Sequence, residues 1–144
     1  MSFPPLLIVD DNPADVALAR EALAECAHCG EVVSVEDGEQ AVAFLRRQEK
    51  YAQAETPGLV ILDLNLPKKD GRTVLAEVKA DPELRHIPIV VFSTSRLNQD
   101  IGGCYQLGAN CYVNKPGNLA DFFLAMKSIK QFWFGSVSLP PRGE

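Results

Sequence analysis

Three carboxylates, two hydroxyls and one lysine stand at the ends of short apolar runs that lie far apart along the chain. Asp10 and Asp11 follow Leu6–Val9, Asp63 follows Leu59–Leu62, Ser93 and Thr94 close the run 87–92, and Lys115 comes just after 111–113. Carboxylates gathered in one place repel each other unless a cation sits among them. A donor set of oxygens, with no thiolate or imidazole, favours Mg2+ over zinc. The lysine has no part in holding such a cation. It fits an anion arriving on the metal's far side, and a phosphoryl group answers that need, because its oxygens can accept from Mg2+, Lys115 and the Ser93 hydroxyl together. A carboxylate poised there can itself be the nucleophile and form an aspartyl phosphate. Asp63, between the acidic pair and the lysine, is the central candidate. Taken alone, Asp10 and Asp11 could equally lead into a helix start beside Asn12.

The elements that must bring these side chains together are legible as alternation. Apolar runs at 6–9, 32–35, 59–62, 87–92 and 111–113 are mostly continuous rather than alternating, as in strands covered on both faces of a parallel sheet. Amphipathic stretches separate them. Asn12-Pro13 reads as a helix cap followed by a first-turn proline, with Asp15 in the first turn and Val16, Ala19 and Leu23 inward. Asp37, with Gln40 three residues on, opens a helix that buries Ala41, Phe44 and Leu45. Asp70-Gly71 starts a third helix, with Val74, Leu75 and Val78 inward, ending near Asp81-Pro82. A fourth spans Asn98 to Leu107, weakened by Gly102 and Gly103. The last runs from Asn118 to about Phe132, with Leu119, Phe122, Phe123, Met126 and Ile129 at near-helical spacing. Five strand–helix units with right-handed crossovers predict an α/β fold: a flavodoxin-like, doubly wound, five-stranded parallel sheet in the order 2-1-3-4-5 with five helices. In such a sheet ligands collect at the carboxyl ends of the strands, where all six residues fall.

With these residues in place, the sequence resembles the receiver domain of two-component response regulators over residues 5 to 132. The matching pieces are LLIVDDN at 6–12, VILDLNLPKKDG at 60–71, IPIVVFSTS at 87–95 and YVNKP at 112–116, with Ser93 and Lys115 standing 30 and 52 residues after Asp63. The resemblance implies Asp63 as phosphoacceptor, Asp11 as a direct Mg2+ ligand, Asp10 as a ligand through water, and the Asn65 backbone carbonyl as a further ligand. It implies Ser93 as the switch hydroxyl, Tyr112 as the aromatic switch and Lys115 as the phosphate-binding lysine, joined to Pro116 by a cis peptide bond. Thr94 replaces the small residue usual after the switch hydroxyl and narrows access to the phosphate. The donor is expected to be a histidine kinase, because the chain has no GxxxxGK[ST] phosphate loop of its own. Two rival readings differ in class: an aspartate-nucleophile phosphatase, against which Asn65 stands where a second acid is usual, and a receiver-like interaction module that is never phosphorylated.

Composition sets outer limits. A 144-residue chain fits one domain, here 1–132, with an apolar tail at 133–144. The formal net charge of −5 gives no field for attracting nucleic acid or anionic lipid. No apolar run approaches the ~18 residues needed to span a bilayer. No basic, apolar leader is visible, so the expected location is cytoplasmic, with the four cysteines reduced. Cys26 and Cys29 form a CxxC around His28 but lack a second ligand pair, which favours plain thiols. The polar connection 48–57 is expected to be mobile. The tail FWFGSVSLPP either folds back or packs on a second copy, and a symmetric homodimer is the favoured expectation. That tail and the long loop are similar to the stand-alone regulators paired with bacterial phytochrome kinases. No effector domain is visible, so output is expected through protein contact.

Overall fold

The computed structural model describes residues 4–24 and 30–141, so Cys26, His28 and Cys29 lie outside the described residues. Five parallel strands, β1 (Leu6–Val9), β2 (Val32–Val35), β3 (Leu59–Leu62), β4 (Ile89–Ser93) and β5 (Cys111–Asn114), form one sheet in the order β2-β1-β3-β4-β5. Strands β1, β3 and β4 are buried along their whole length, whereas the edge strand β5 is half-exposed throughout. Continuous apolar runs therefore belong to the interior strands, which need cover on both faces. β4 starts two residues later than the apolar run, because Pro88 lends only its carbonyl, to the Val60 N–H at 3.0 Å.

The helices are α1 (Pro13–Leu23), α2 (Gly38–Leu45), α3 (Gly71–Ala80), α4 (Asn98–Gln106) and α5 (Leu119–Gln131). Asn12, Asp37, Asp70 and Asn118 each cap the helix that follows, with side-chain oxygens accepting first-turn N–H groups. Asp37 is held twice by Gln40: the Gln40 N–H donates to Asp37 Oδ1 at 2.8 Å and the Gln40 side-chain amide donates to Asp37 Oδ2 at 2.9 Å. Ala41, Phe44, Val74, Leu75, Val78 and Cys104 cover one face of the sheet, and Ala19, Leu23, Phe122, Met126 and Ile129 the other.

Two expectations need correction, and an alternative left open for the tail is decided as far as residue 141. The connection 48–57 is anchored: a 3-10 turn at Glu49–Tyr51 lays the Tyr51 ring edge-on to Phe44 at 5.2 Å and its hydroxyl donates to Gln40 at 3.0 Å. Leu119, in the first turn of α5, is not part of the core but 56% exposed, and Phe123 is only half-buried. The chain beyond α5, as far as residue 141, folds back on the domain, one of the two courses expected of it. It makes a π-type turn, Phe132–Ser136, that sets Trp133 and Phe134 against the α1–α5 face of the core. It then carries Leu139 over Gly58 and Pro140–Pro141 to a small cavity beside Pro4, His86 and Pro88.

Candidate functional site

The ladder that builds the sheet runs one residue past several strands and fixes the site backbone. The Asp10 N–H donates to Val35 O at 3.1 Å, the Asp63 N–H to Val9 O at 2.9 Å, and the Lys115 N–H to Ser93 O at 2.8 Å. Beneath Asp63, the start of α3 comes so close that a Cβ on Gly71 would lie 2.2 Å from the Asp63 carbonyl oxygen. The sequence reading of Asp70-Gly71 as helix start rather than chemistry therefore holds, and the glycine answers to backbone proximity.

At this rim Lys115 is buried, 8% exposed, and its ammonium donates to Asp10 Oδ2 at 2.8 Å, Asp15 Oδ2 at 2.9 Å and Asp63 Oδ2 at 3.2 Å. Asp63 Oδ1 accepts from the Leu64 N–H at 2.8 Å. Asp10, Asp11 and Asp63 each present one carboxylate oxygen, and these oxygens lie within 4.8 Å of one another. Asp10 is buried, Asp63 half-buried and Asp11 open to solvent. Burial pushes the Asp63 carboxyl above the ordinary carboxylate range; Lys115 pulls it back and the Asp10 charge adds to the rise. Burial works against the charge on Lys115, but its bonds to Asp10 and Asp15 and the nearby Asp63 hold the ammonium above the ordinary lysine range. Four carboxylates thus face one ammonium, an imbalance that a divalent cation relieves. An all-oxygen donor set at this separation fits Mg2+, a hard cation that keeps part of its water shell.

Ser93 is fully buried and its Oγ accepts from the Ser95 N–H at 3.1 Å, while Thr94 is exposed at the rim. Asn65 is exposed in the loop after β3, on the same edge as Asp63. The half-buried Tyr112 donates its hydroxyl to the Ser95 carbonyl at 2.8 Å. The cis bond is a correction: no cis peptide occurs among the described residues, and Lys115–Pro116 is trans. An X–Pro amide prefers trans by about 0.5–1 kcal/mol, and in that form the ammonium already meets all three carboxylates.

Two groups escaped the sequence reading. Asp15 reads there only as a first-turn acid, yet it grips Lys115; the signal was its place at the third position of α1, where side chains lean back toward the rim. The second is a chain in which Ser95 Oγ donates to Asp100 at 2.5 Å and Arg72 donates to the other oxygen of Asp100 at 2.6 Å. Its members are 28 residues apart at most and share no motif, so only the fold brings them together.

A doubly wound five-stranded domain whose carboxyl rim gathers a carboxylate trio, a buried hydroxyl and a buried lysine defines a phosphate-handling signalling class. The chain belongs to the response regulator receiver domain family, which matches residues 6–127. Among its relatives, response regulator Rcp1 of Synechocystis sp. is 45% identical, with 96% of each chain covered. The phosphorylated cyanobacterial phytochrome response regulator RcpA superposes with a TM-score of 0.94 at 48% identity, over 97% of this chain and all of that one. The Mn2+-bound form of Rcp1 gives 0.93 at 43% identity, over 96% of this chain and 99% of that one. The likeness to phytochrome-associated regulators implied by the tail and the long loop thus extends over 97% of the chain.

Proposed function

We propose that this chain is a single-domain response regulator that accepts a phosphoryl group on Asp63 from a histidine kinase, a bacteriophytochrome being the favoured partner. The observation that carries this is Lys115, whose ammonium is within hydrogen-bonding distance of Asp63 and Asp10 beside a three-carboxylate cluster. Asp11 and Asp63 would hold Mg2+ directly, together with the Asn65 carbonyl, and Asp10 through water. Bound Mg2+ supplies charge neutralisation for the carboxylates and for the incoming phosphoryl oxygens.

Asp63 attacks phosphorus as the P–N bond of the donor phosphohistidine breaks. The imidazole keeps that electron pair and takes up a proton from water. Lys115 binds a phosphoryl oxygen, and the Ser93 hydroxyl turns to another, letting go of the Ser95 N–H that it accepts from at 3.1 Å. Tyr112, tied to the same Ser95, registers that movement, and the α4–β5–α5 face changes shape, a population shift favoured by the new charge-assisted bonds. Exposed Thr94 screens the phosphate from solvent. The protein then takes part only in its own phosphorylation and dephosphorylation and turns over no separate substrate. A phosphohistidine made from ATP implies the cytoplasm; among the described residues no helix is long and apolar enough to cross a membrane. The net charge of −5 speaks against nucleic acid as a partner.

Output through a homodimer is favoured by the exposed Leu97, Tyr105, Leu124 and Phe132 on and beside α4 and α5, apolar side chains that a second copy would cover. Trp133 and Phe134 of the tail pack against the core cluster that holds Phe122, Met126 and Ile129 of α5. Comparing solution mass with and without beryllofluoride tests this: a dimer that Leu124→Glu dissociates is the expected result, and a monomer in both conditions overturns it.

The function itself is tested with acetyl phosphate and Mg2+, followed by intact mass. One phosphoryl adduct is expected in the native chain and none in Asp63→Asn. No adduct in the native chain leaves the interaction module, and rapid turnover of a generic phosphate ester leaves the phosphatase.

A further inference from the structure

Asp15 is the one carboxylate around Lys115 for which phosphoryl transfer, as read above, has no use. It is not among the three whose oxygens converge within 4.8 Å on a candidate cation position. Its Oδ2 nevertheless lies 2.9 Å from Lys115 Nζ, closer than Asp63 Oδ2 at 3.2 Å. Its mount is rigid. Asp15 belongs to the first turn of α1, Asn12 Oδ1 accepts both the Ala14 N–H at 3.0 Å and the Asp15 N–H at 3.2 Å, and Pro13 fixes the entry. The helix N-terminus also favours a carboxylate there.

An ammonium has three donors, and Asp10, Asp15 and Asp63 occupy all three. A phosphoryl oxygen can be bound only when one of these bonds is given up. Lys115 leaves β5, at one edge of the sheet, and reaches toward β1, two strands beyond β4. Asp10 and Asp15 both stand on that far side and make its two shorter contacts. Each holds a donor that a phosphoryl oxygen on Asp63 would otherwise take.

We propose that Asp15 is a positioning residue that acts through Lys115: it competes with the phosphoryl group for the ammonium and so sets how firmly the phosphorylated state is held. The inference rests on Asp63 as the phosphoryl site. It assigns α1 a part in tuning that site.

Beryllofluoride affinity at saturating Mg2+, read from the bound signal in fluorine NMR, tests it on the full chain. Asp15→Asn is expected to bind about fivefold more tightly, the scale of one partly exposed ion pair, and Asp15→Ser, a good first-turn residue, to do the same. Asp15→Glu restores the charge and is expected to return toward the native affinity. Glu36→Gln is the electrostatic control. Glu36 lines the same rim groove as Asp10 and Asp11 but makes no ion pair with Lys115, so its removal is expected to change nothing. The Lys115 side-chain ammonium signal in nitrogen NMR is expected to shift in Asp15→Asn and not in Glu36→Gln. Unchanged or weaker binding in Asp15→Asn and Asp15→Ser, or an equal gain in Glu36→Gln, overturns the proposal. If the native chain takes up no beryllofluoride, or Asp63→Asn takes it up equally well, it is the phosphoacceptor reading that fails.

Discussion

Helix α3 is built into the fold at its first residue, and α4, on the other side of β4, is not. Asp70 caps α3 by accepting the Arg72 N–H at 2.8 Å, Gly71 sits directly against the Asp63 and Leu64 backbone, and Gly71, Val74, Leu75 and Val78 are buried. α4 has no side-chain cap at Leu97, buries only Cys104, and carries Gly102 and Gly103 in open space. What holds its N-terminus is borrowed: Asp100 is gripped by Arg72 of α3 and by Ser95, two residues after the buried Ser93. One helix fixes the floor of the acidic cup, while the other is held where, on the proposed function, the phosphoryl signal would be read. Local stability is divided to suit, since segments that must move are those with few buried contacts.

The comparison can be broken by glycine replacements. Gly71→Ala drives a Cβ into the Asp63 carbonyl and is expected to cost about 3 kcal/mol or prevent folding; the urea midpoint measures it. The pair Gly102→Ala and Gly103→Ala meets no atom within 4 Å, and each replacement is expected to stabilise by about 1 kcal/mol. Amide exchange is expected to slow in α4 far more than in α3, and the phosphorylated form to shift less from the resting one. Equal slowing in both helices contradicts the division. Asp70→Ala removes the α3 cap at a cost of about 1 kcal/mol. The corresponding Leu97→Ala is expected to cost nothing in capping, and equal losses contradict the asymmetry. The smallest effect follows from pH. Asp63 binds its proton more tightly folded than unfolded, so the stability it contributes is present at low pH and is lost as pH rises through its raised folded value. Asp63→Asn is therefore expected to gain on the native chain as pH rises from acid to neutral, and a gain confined to low pH contradicts the assigned direction.

The fold was legible because its signals are local and agree with each other. Asn12-Pro13, Asp37 with Gln40, Asp70-Gly71 and Asn118 each cap as read, and continuous apolar runs mark the covered strands. The rim trio and Lys115 were legible because every strand end points to one edge. The rest depends on contacts with no fixed spacing. Asp15 meets Lys115 across 100 residues, the Ser95–Asp100–Arg72 chain joins three segments, and Tyr51 pins its loop to α2. Leu119 fits the apolar period of α5 but, in the helix's first turn, stays 56% exposed. The trans Lys115–Pro116 bond departs from an expectation that came from resemblance alone.

The central claim is that Asp63, and no other carboxylate of the rim, carries the phosphoryl group. Borohydride reduction after acetyl phosphate treatment converts an aspartyl phosphate to homoserine at the residue that held it, and peptide mass spectrometry locates that residue. Homoserine at position 63 alone is the predicted result. Homoserine at 10, 11 or 15, or none in a chain that has gained a phosphoryl group, contradicts the account.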